Sequence, residues 1–332
     1  MPQEGRSLAT PDQGQSFIVH AADSLSAAIL ARFLMRAGQA RIVTTNCFKK
    51  ETIMQILGID VGGTGVKGAI IETATGKLTS ERLRIETPSP ATPESIGLTV
   101  KELVERHHWS GPIGIGFPAA ILHGVARTAA NIDPSFIGLP VADHFSVQTG
   151  CRVWVANDAD VAGLAEIRFG AGQGVAGVVL VVTVGTGLGT ALFSDGHLLP
   201  NTELGHLLLN NGLEAERYAS EAVRDAQKLK WKDWGDRLNH YLLTLENLFW
   251  PDLIVLGGGA SKKLPKFAPQ ITTRTPVVPA RFLNRAGMIG AALFTEERLG
   301  SSLSRNGARA WPSVKGSAPQ AGGLMGGSGA SA

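Results

Sequence analysis

Cysteine is nearly missing from this chain: two in 332 residues, Cys47 and Cys151, far apart and outside any Cys-x-x-Cys pair. That excludes a disulfide scaffold and a cysteine-rich zinc knot, and it fits a reducing, cytoplasmic setting. Long apolar runs are also missing. Arg32 and Arg36 break up the most hydrophobic amino-terminal segment, around Ala27 to Met35, well short of the ~18 residues needed to span a bilayer, so no membrane role is expected. Asp12 and Asp23 lie near that segment and no cleavage pattern follows it, which argues against an organelle-targeting helix. Excess charge is lacking as well. Thirty-one basic and 28 acidic residues give a net charge of +3, spread along the chain, so a nucleic-acid partner is not expected. What is present is an apolar share of 44% and enough length for two domains with cores of their own.

Residues 1–53 have a polar start and one plausible helix, Ser24 to Ala37, and are expected to be a poorly ordered appendage. Met54 is a candidate natural start of translation, which amino-terminal sequencing of the native protein would test. From there the patterning predicts a β-meander: Ile56 to Val61, Gly65 to Glu72 and Leu78 to Thr87, with Thr75-Gly76 at the second turn. A helix over Pro93 to His107, a strand over Ile113 to Phe117, a strand over Arg152 to Ala156 and a helix running to about Phe169 follow. The Gly-rich link Gly170 to Gly177 is a candidate boundary. Beyond it, Val178 to Val184 is apolar enough for a strand covered on both faces. A strand over Ala191 to Ser194, mostly helical sequence over Ala215 to Phe249, a strand over Leu253 to Leu256 and a last helix over Gly287 to Leu299 complete the reading. The expected organisation is a small α/β domain over 54–169, joined by the returning helix 287–299, a larger one over 170–286, and a disordered tail over 301–332.

The first chemical motif is Asp60-Val-Gly-Gly-Thr-Gly-Val-Lys-Gly68. Gly62 and Gly63 let main-chain amides approach phosphate oxygens, Thr64 and Lys67 add donors, and Asp60 can hold a magnesium ion. Gly63 to Gly68 also satisfies G-x-G-x-x-G, but that dinucleotide pattern must open a helix, and here it leads into a strand. No Walker phosphate loop is present. The second motif, Thr183-Val-Gly-Thr-Gly-Leu-Gly-Thr190, repeats the strand, glycine turn, strand logic with Gly185, Thr186 and Gly187. Either could be a tight turn and nothing more; as a pair they suggest two phosphate clamps facing one cleft. Between them, Asn157-Asp158 stands at a strand end. Asp158 is placed to accept a proton from a hydroxyl nucleophile, although either residue could simply cap the next helix. Glu203-Leu-Gly-His206 sets a carboxylate and an imidazole around a bend at Gly205, suited to gripping adjacent sugar hydroxyls or equally to a solvated turn.

Together these motifs resemble the ROK family of sugar kinases, and within it the polyphosphate-dependent glucokinases and glucomannokinases, over roughly Met54 to Thr295. The runs Thr128-Ala-Ala-Asn-Ile-Asp133 and Trp231-Lys-Asp-Trp-Gly-Asp-Arg-Leu-Asn239 are similar to that branch. The resemblance implies a two-domain, actin- and hexokinase-like α/β fold of the ribonuclease-H type with a central cleft, and a homodimer. It implies Asp158 as catalytic base; Asn131, Asn157, Glu203, His206 and, more loosely, Glu214 around a hexose; and Gly257, Gly258 and Gly259 as a nucleotide-end turn. Many ROK members carry a zinc knot after the Gly-His pair. Here Leu207 to Glu214 has no cysteine, so no structural zinc is expected. Lys262, Lys263 and Lys266, with Lys228, Lys230, Lys232 and Arg237, offer either a path for a polyanion or a solvated helix face. The expected reaction is phosphoryl transfer from polyphosphate or ATP to glucose, with magnesium. The alternatives are an ATP-only kinase for another hexose or an N-acetylhexosamine, and a sugar-responsive repressor. The repressor needs a helix-turn-helix module, for which residues 1–53 offer only one helix.

Overall fold

The computed structural model describes residues 54–129 and 132–304; the appendage, the Ser24 to Ala37 helix, Asn131 and the tail beyond 304 lie outside them. The chain opens on the expected meander, β1 (Gln55–Gly62) and β2 (Gly65–Glu72), but the third strand is in two short pieces, β3 (Lys77–Leu78) and β4 (Leu83–Ile85). Both pair with β2. Between them the Ser80 hydroxyl accepts the Ile70 N–H at 2.9 Å, putting a side chain where a ladder carbonyl would stand. Helix α1 (Pro93–Arg106) starts with Thr92 accepting the Ser95 N–H and proline in its first turn, and buries Ile96, Val100, Leu103 and Val104. Then come β5 (Ile113–Phe117), a small hairpin of β6 (Ile121–Leu122) and β7 (Val125–Ala126), α2 (Val141–Thr149), β8 (Val153–Asn157) and α3 (Asp158–Phe169). The first sheet runs β3-β2-β1-β5-β8, with β1, β5 and β8 parallel.

The second sheet collects β9 (Val178–Val184), β10 (Leu188–Ser194), β11 (His197–Leu199), β12 (Leu253–Gly257) and β13 (Val277–Pro279) in the order β11-β10-β9-β12-β13. The expected helical stretch 215–249 is three helices, α4 (Ala215–Ala219), α5 (Glu221–Ala226) and α6 (Trp231–Phe249). Ser220, whose hydroxyl accepts the Val223 N–H, separates the first two. A short α7 (Gly258–Ser261) follows β12, and α8 (Ala286–Ser304) is the last element; residues 301–304, expected in the tail, continue this helix instead.

Five layers result. Odd-numbered residues of β1 and β5 (Leu57, Ile59, Ile113, Ile115) pack with α1 and α2. Even-numbered Ile56, with Ala69 and Ile71 of β2, faces Met288, Ile289 and Ala292 of α8. On the far side of this helical layer, Leu164 of α3 packs with Val179 and Val181 of β9 and Val255 of β12. The opposite face of that sheet, Leu180, Val182, Ile254 and Leu256, is covered by Trp234, Leu238, Leu242 and Leu245 of α6. Strand alternation therefore decides which helix each residue meets. It also explains two glycines in strand interiors. A Cβ on Gly58 or on Gly114 would stand 2.0 Å from the Met288 or Ala291 carbonyl oxygen, so only glycine admits α8 at this distance.

Candidate active site

The parallel strands of both sheets end toward the same space, the usual ligand position in open α/β sheets. A cavity of about 310 Å³ lies there. Its walls are Gly63 from the β1–β2 turn, Pro118 and Ala119 after β5, Thr128, Asn157 and Asp158 at the β8–α3 junction, the β9–β10 turn, Glu203, His206, Glu216 and Gly258. A second cavity of about 180 Å³ shares Asp158, Ala159, Thr183 and Gly258 with the first, and is walled by Asp60, Lys67, Glu166, Gly257 and the first turn of α8. Asp158 thus stands between the two.

Asn157 caps α3 and faces the cavity at once. Its Oδ1 accepts the N–H groups of Ala159 (2.8 Å) and Asp160 (3.2 Å), while its Nδ2 donates to Glu203 Oε1 (3.0 Å) and the Ala119 carbonyl (3.2 Å). With both ends of the amide engaged, the side chain is fixed in one orientation. Asp158 Oδ1 accepts the Ala159 N–H at 2.8 Å. Burial, then the charge of Asp60, push its carboxyl up to about 7, against the pull of that N–H. Glu203 is also raised, by burial above all, with His206 opposing. His206 lies beside it, Nε2 to Oε2 at 3.9 Å. Gly205 serves closeness rather than a left-handed bend: a Cβ there would meet the Leu188 carbonyl oxygen at 2.0 Å.

The two glycine turns differ from these packing glycines. Gly63 and Gly185 have no atom within 4 Å of an added Cβ and no positive φ. Nothing in the fold requires glycine at either place, so the space they leave is free for a ligand that approaches the main chain. Asp60 and Lys67 are register partners across β1 and β2 and form an ion pair at 3.0 Å. Thr186 and Gly187 line the larger cavity, and Gly257 the smaller; Thr64 and Gly259 line neither. Beyond Gly258, Lys263 pairs with Glu221 at 3.0 Å. Trp231 carries cations on its ring: the Arg224 guanidinium at 3.7 Å, Lys263 at 5.3 Å and Lys266 at 5.6 Å. Lys262 lines neither cavity.

Glu214 stands behind His206 rather than on the cavity wall, Oε2 lying 3.7 Å from Nδ1 and 3.3 Å from Arg217 Nε. The carboxylate that does reach the cavity is Glu216, whose Oε2 accepts the Leu188 N–H at 3.0 Å beside Gly187. Sequence reasoning missed it. The signal was a second acidic residue two places on, at the start of a helix whose first turn carries it inward. Leu207 to Glu214 closes on itself through Leu209 N–H to the Leu213 carbonyl (2.9 Å) and Ala215 N–H to the Leu207 carbonyl (2.9 Å). Among the described residues, no group of three or more His, Cys, Asp or Glu side chains is placed to hold a metal ion. Nor is any helix among them long and apolar enough to cross a membrane.

The chain is similar in sequence and fold to known proteins. A family profile described as ROK family matches residues 56–217. Polyphosphate glucokinase of Mycobacterium tuberculosis is 45% identical over 237 residues, covering 71% of this chain and 89% of that protein. The crystal structure of inorganic polyphosphate/ATP-glucomannokinase from Arthrobacter sp. strain KM matches with a TM-score of 0.70 and 45% identity, over 74% of this chain and 99% of that one. A ROK family glucokinase from Streptomyces griseus, solved with glucose and AMPPNP, shares the fold at a TM-score of 0.63 and 24% identity, over 74% of this chain and all of the other.

Proposed function

Because this chain belongs to the ROK family, we propose that it is a glucokinase that transfers a phosphoryl group from inorganic polyphosphate or ATP to the 6-hydroxyl of glucose, with mannose as a second acceptor. The observation that carries the reading is the position of Asp158. It lines one cavity with the hydrogen-bonding side chains of Asn157, Glu203 and His206 and with the open glycine turns at Gly63 and Gly185.

In the reaction the sugar oxygen attacks the terminal phosphorus, the bond from phosphorus to the rest of the donor breaks, and the hydroxyl proton passes to the Asp158 carboxylate. Asn157, Glu203 and His206 orient the ring, with Glu214 holding His206 from behind; Asn131, a further candidate sugar contact, lies outside the described residues. Gly62, Gly63, Thr64, Thr186 and Gly187 offer main-chain N–H groups to the transferred phosphate, and Gly257, Gly258 and Gly259 to the remainder of the donor; Gly185, whose N–H donates to the Gly187 carbonyl at 3.0 Å, contributes the open space beside the turn. Lys67 supplies positive charge there. Asp60 fits magnesium as a single carboxylate, since this ion is commonly held by one or two carboxylates and the substrate phosphates. When bound, it would neutralise donor charge. Before that, Asp60 is held by Lys67. The cations around Trp231, with Lys262, suit a polyanion that extends outward from Gly258.

Residues 54–169 with α8, and residues 170–286, act as two domains that close on glucose and shield the phosphate from water. The enzyme works as a cytoplasmic homodimer in the first step of glucose use; light scattering on the purified protein checks the assembly. The deciding experiment is a panel of glucose and mannose against ATP, GTP and polyphosphate with magnesium. Formation of glucose 6-phosphate supports the reading, and no phosphorylation with any donor removes it.

A further inference from the structure

Asp160 takes no part in the chemistry above, yet it is 1% exposed. A buried carboxylate is costly unless its oxygens are bonded, and this one is bonded on one side only: Oδ2 accepts the main-chain N–H of Asn201 at 2.8 Å, while Oδ1 has no partner among the described residues. Asn201 is in the left-handed region (φ 60°), which asparagine tolerates. Its side-chain amide lies along the main chain of Ile121: Oδ1 accepts the Ile121 N–H at 2.8 Å and Nδ2 donates to the Ile121 carbonyl at 3.0 Å. One residue is therefore gripped through its backbone by α3 and through its side chain by β6. Two places further on stands Glu203, which returns to the start of α3 through Asn157 at 3.0 Å. The segment leaves α3 at Asp160 and comes back beside Asp158, closing a ring of contacts around the base.

We propose that Asp160 is a positioning residue for the sugar: by fixing Asn201 it sets where Glu203 stands relative to Asp158. The proposal rests on the cavity being the hexose site. The test is steady-state kinetics with glucose varied at saturating donor, then donor varied at saturating glucose, for wild type and for Asp160→Ala, each with and without Glu203→Ala. Asp160→Ala removes the acceptor for the Asn201 N–H. It is expected to raise the glucose KM at least ~10-fold, with the donor KM within about twofold and kcat reduced by less than the KM change. Asp160→Asn keeps an oxygen for that N–H and is expected to recover most of the glucose KM. In the Glu203→Ala background, Asp160→Ala is expected to add less than about twofold, because the group it positions is gone.

Glucose and donor KM rising together would overturn the proposal, as would full multiplication of the two single effects. Should Asp160→Ala not accumulate folded, Asp160→Leu removes the acceptor for the Asn201 N–H while filling the space, and an unchanged glucose KM in that variant sinks the idea. A wild-type protein that phosphorylates no hexose defeats the functional reading itself; an active wild type with these values unmoved defeats only the role of Asp160.

Discussion

Acidifying the assay from about pH 8 to about pH 6 carries Asp158 through its titration. Only the carboxylate form can take the hydroxyl proton, and its carboxyl titrates at about 7 because it is buried and because Asp60 is near. For such a group the unprotonated fraction falls from roughly 0.9 to roughly 0.1 across this range, so kcat/KM for glucose is expected to fall ~10-fold, approaching a decade per pH unit below that. Asp160 also sits at about 7, from burial first and the Glu203 charge as well, with the Asn201 N–H opposing. Two neighbouring carboxyls titrate as a pair, so one profile does not name the residue. Asp160→Asn separates them: the acid limb should persist there. The assay is initial rate at low glucose, in buffers of constant ionic strength. A kcat/KM that stays flat down to about pH 5.5 would refute the reasoning, since the base would then ionise as an ordinary, solvated aspartate.

Asp158→Asn should lower kcat by about a thousandfold while keeping the fold; retention of most activity would reassign the base. The same variant should be more stable than wild type, and the sign follows from the raised pKa. The protonated form is favoured on folding, so this group's contribution is fully present below about pH 4 and is lost as pH rises through about 7. The gain in unfolding free energy should therefore be larger at about pH 8 than at about pH 5, by at most ~3 kcal/mol at about 1.4 kcal/mol per pH unit and less because Asp158 faces the cavity; an equal gain at both, read by denaturant unfolding, would contradict the burial argument. Gly290→Ala puts a Cβ 1.5 Å from the Val161 carbonyl oxygen and should cost several kcal/mol, whereas Gly300→Ala, in the same helix with nothing within 4 Å, should stabilise by about 0.5–1 kcal/mol. Thermal melts of the pair check this. Lys266→Ala should raise the polyphosphate KM ~3-fold or more and weaken its salt dependence, with less effect on ATP; equal effects on both donors would place the Trp231 cations elsewhere than on the polyanion's path.

Local signals carried much of the fold. β1 and β2 are readable because alternation and a glycine turn act over a dozen residues, and the β8–α3 junction because a strand meets a capping asparagine. The small hairpin before α2 was not readable. Its strands are two residues each, and its turn, His123-Gly124, has positive φ at both positions (53° and 79°) without the usual Asn-Gly sequence. Helix α2 buries little besides Val141 and Phe145, so its apolar stripe is too thin to stand out. At the site, residue types at strand ends gave Asp60, Asn157 and Asp158. Glu216 and the Asp160–Asn201 grip depend on segments far apart in the chain, which no local pattern announces; Thr128 is legible only as part of the run 128–133.

The fit of α8 between the two sheets also sets a timetable for biosynthesis. A ribosome completes the first sheet by residue 157, but the helix that covers its even-numbered face begins at residue 286. For that interval Ile56, Ala69 and Ile71 lack Met288, Ile289 and Ala292 and keep Ala165 and its neighbours on α3 from the same cluster, and the trough along Gly58 and Gly114 lacks the main chain that fills it. Stalled or truncated products lacking the last helix therefore expose an apolar sheet face, so nascent chains of this length are the ones a chaperone must guard.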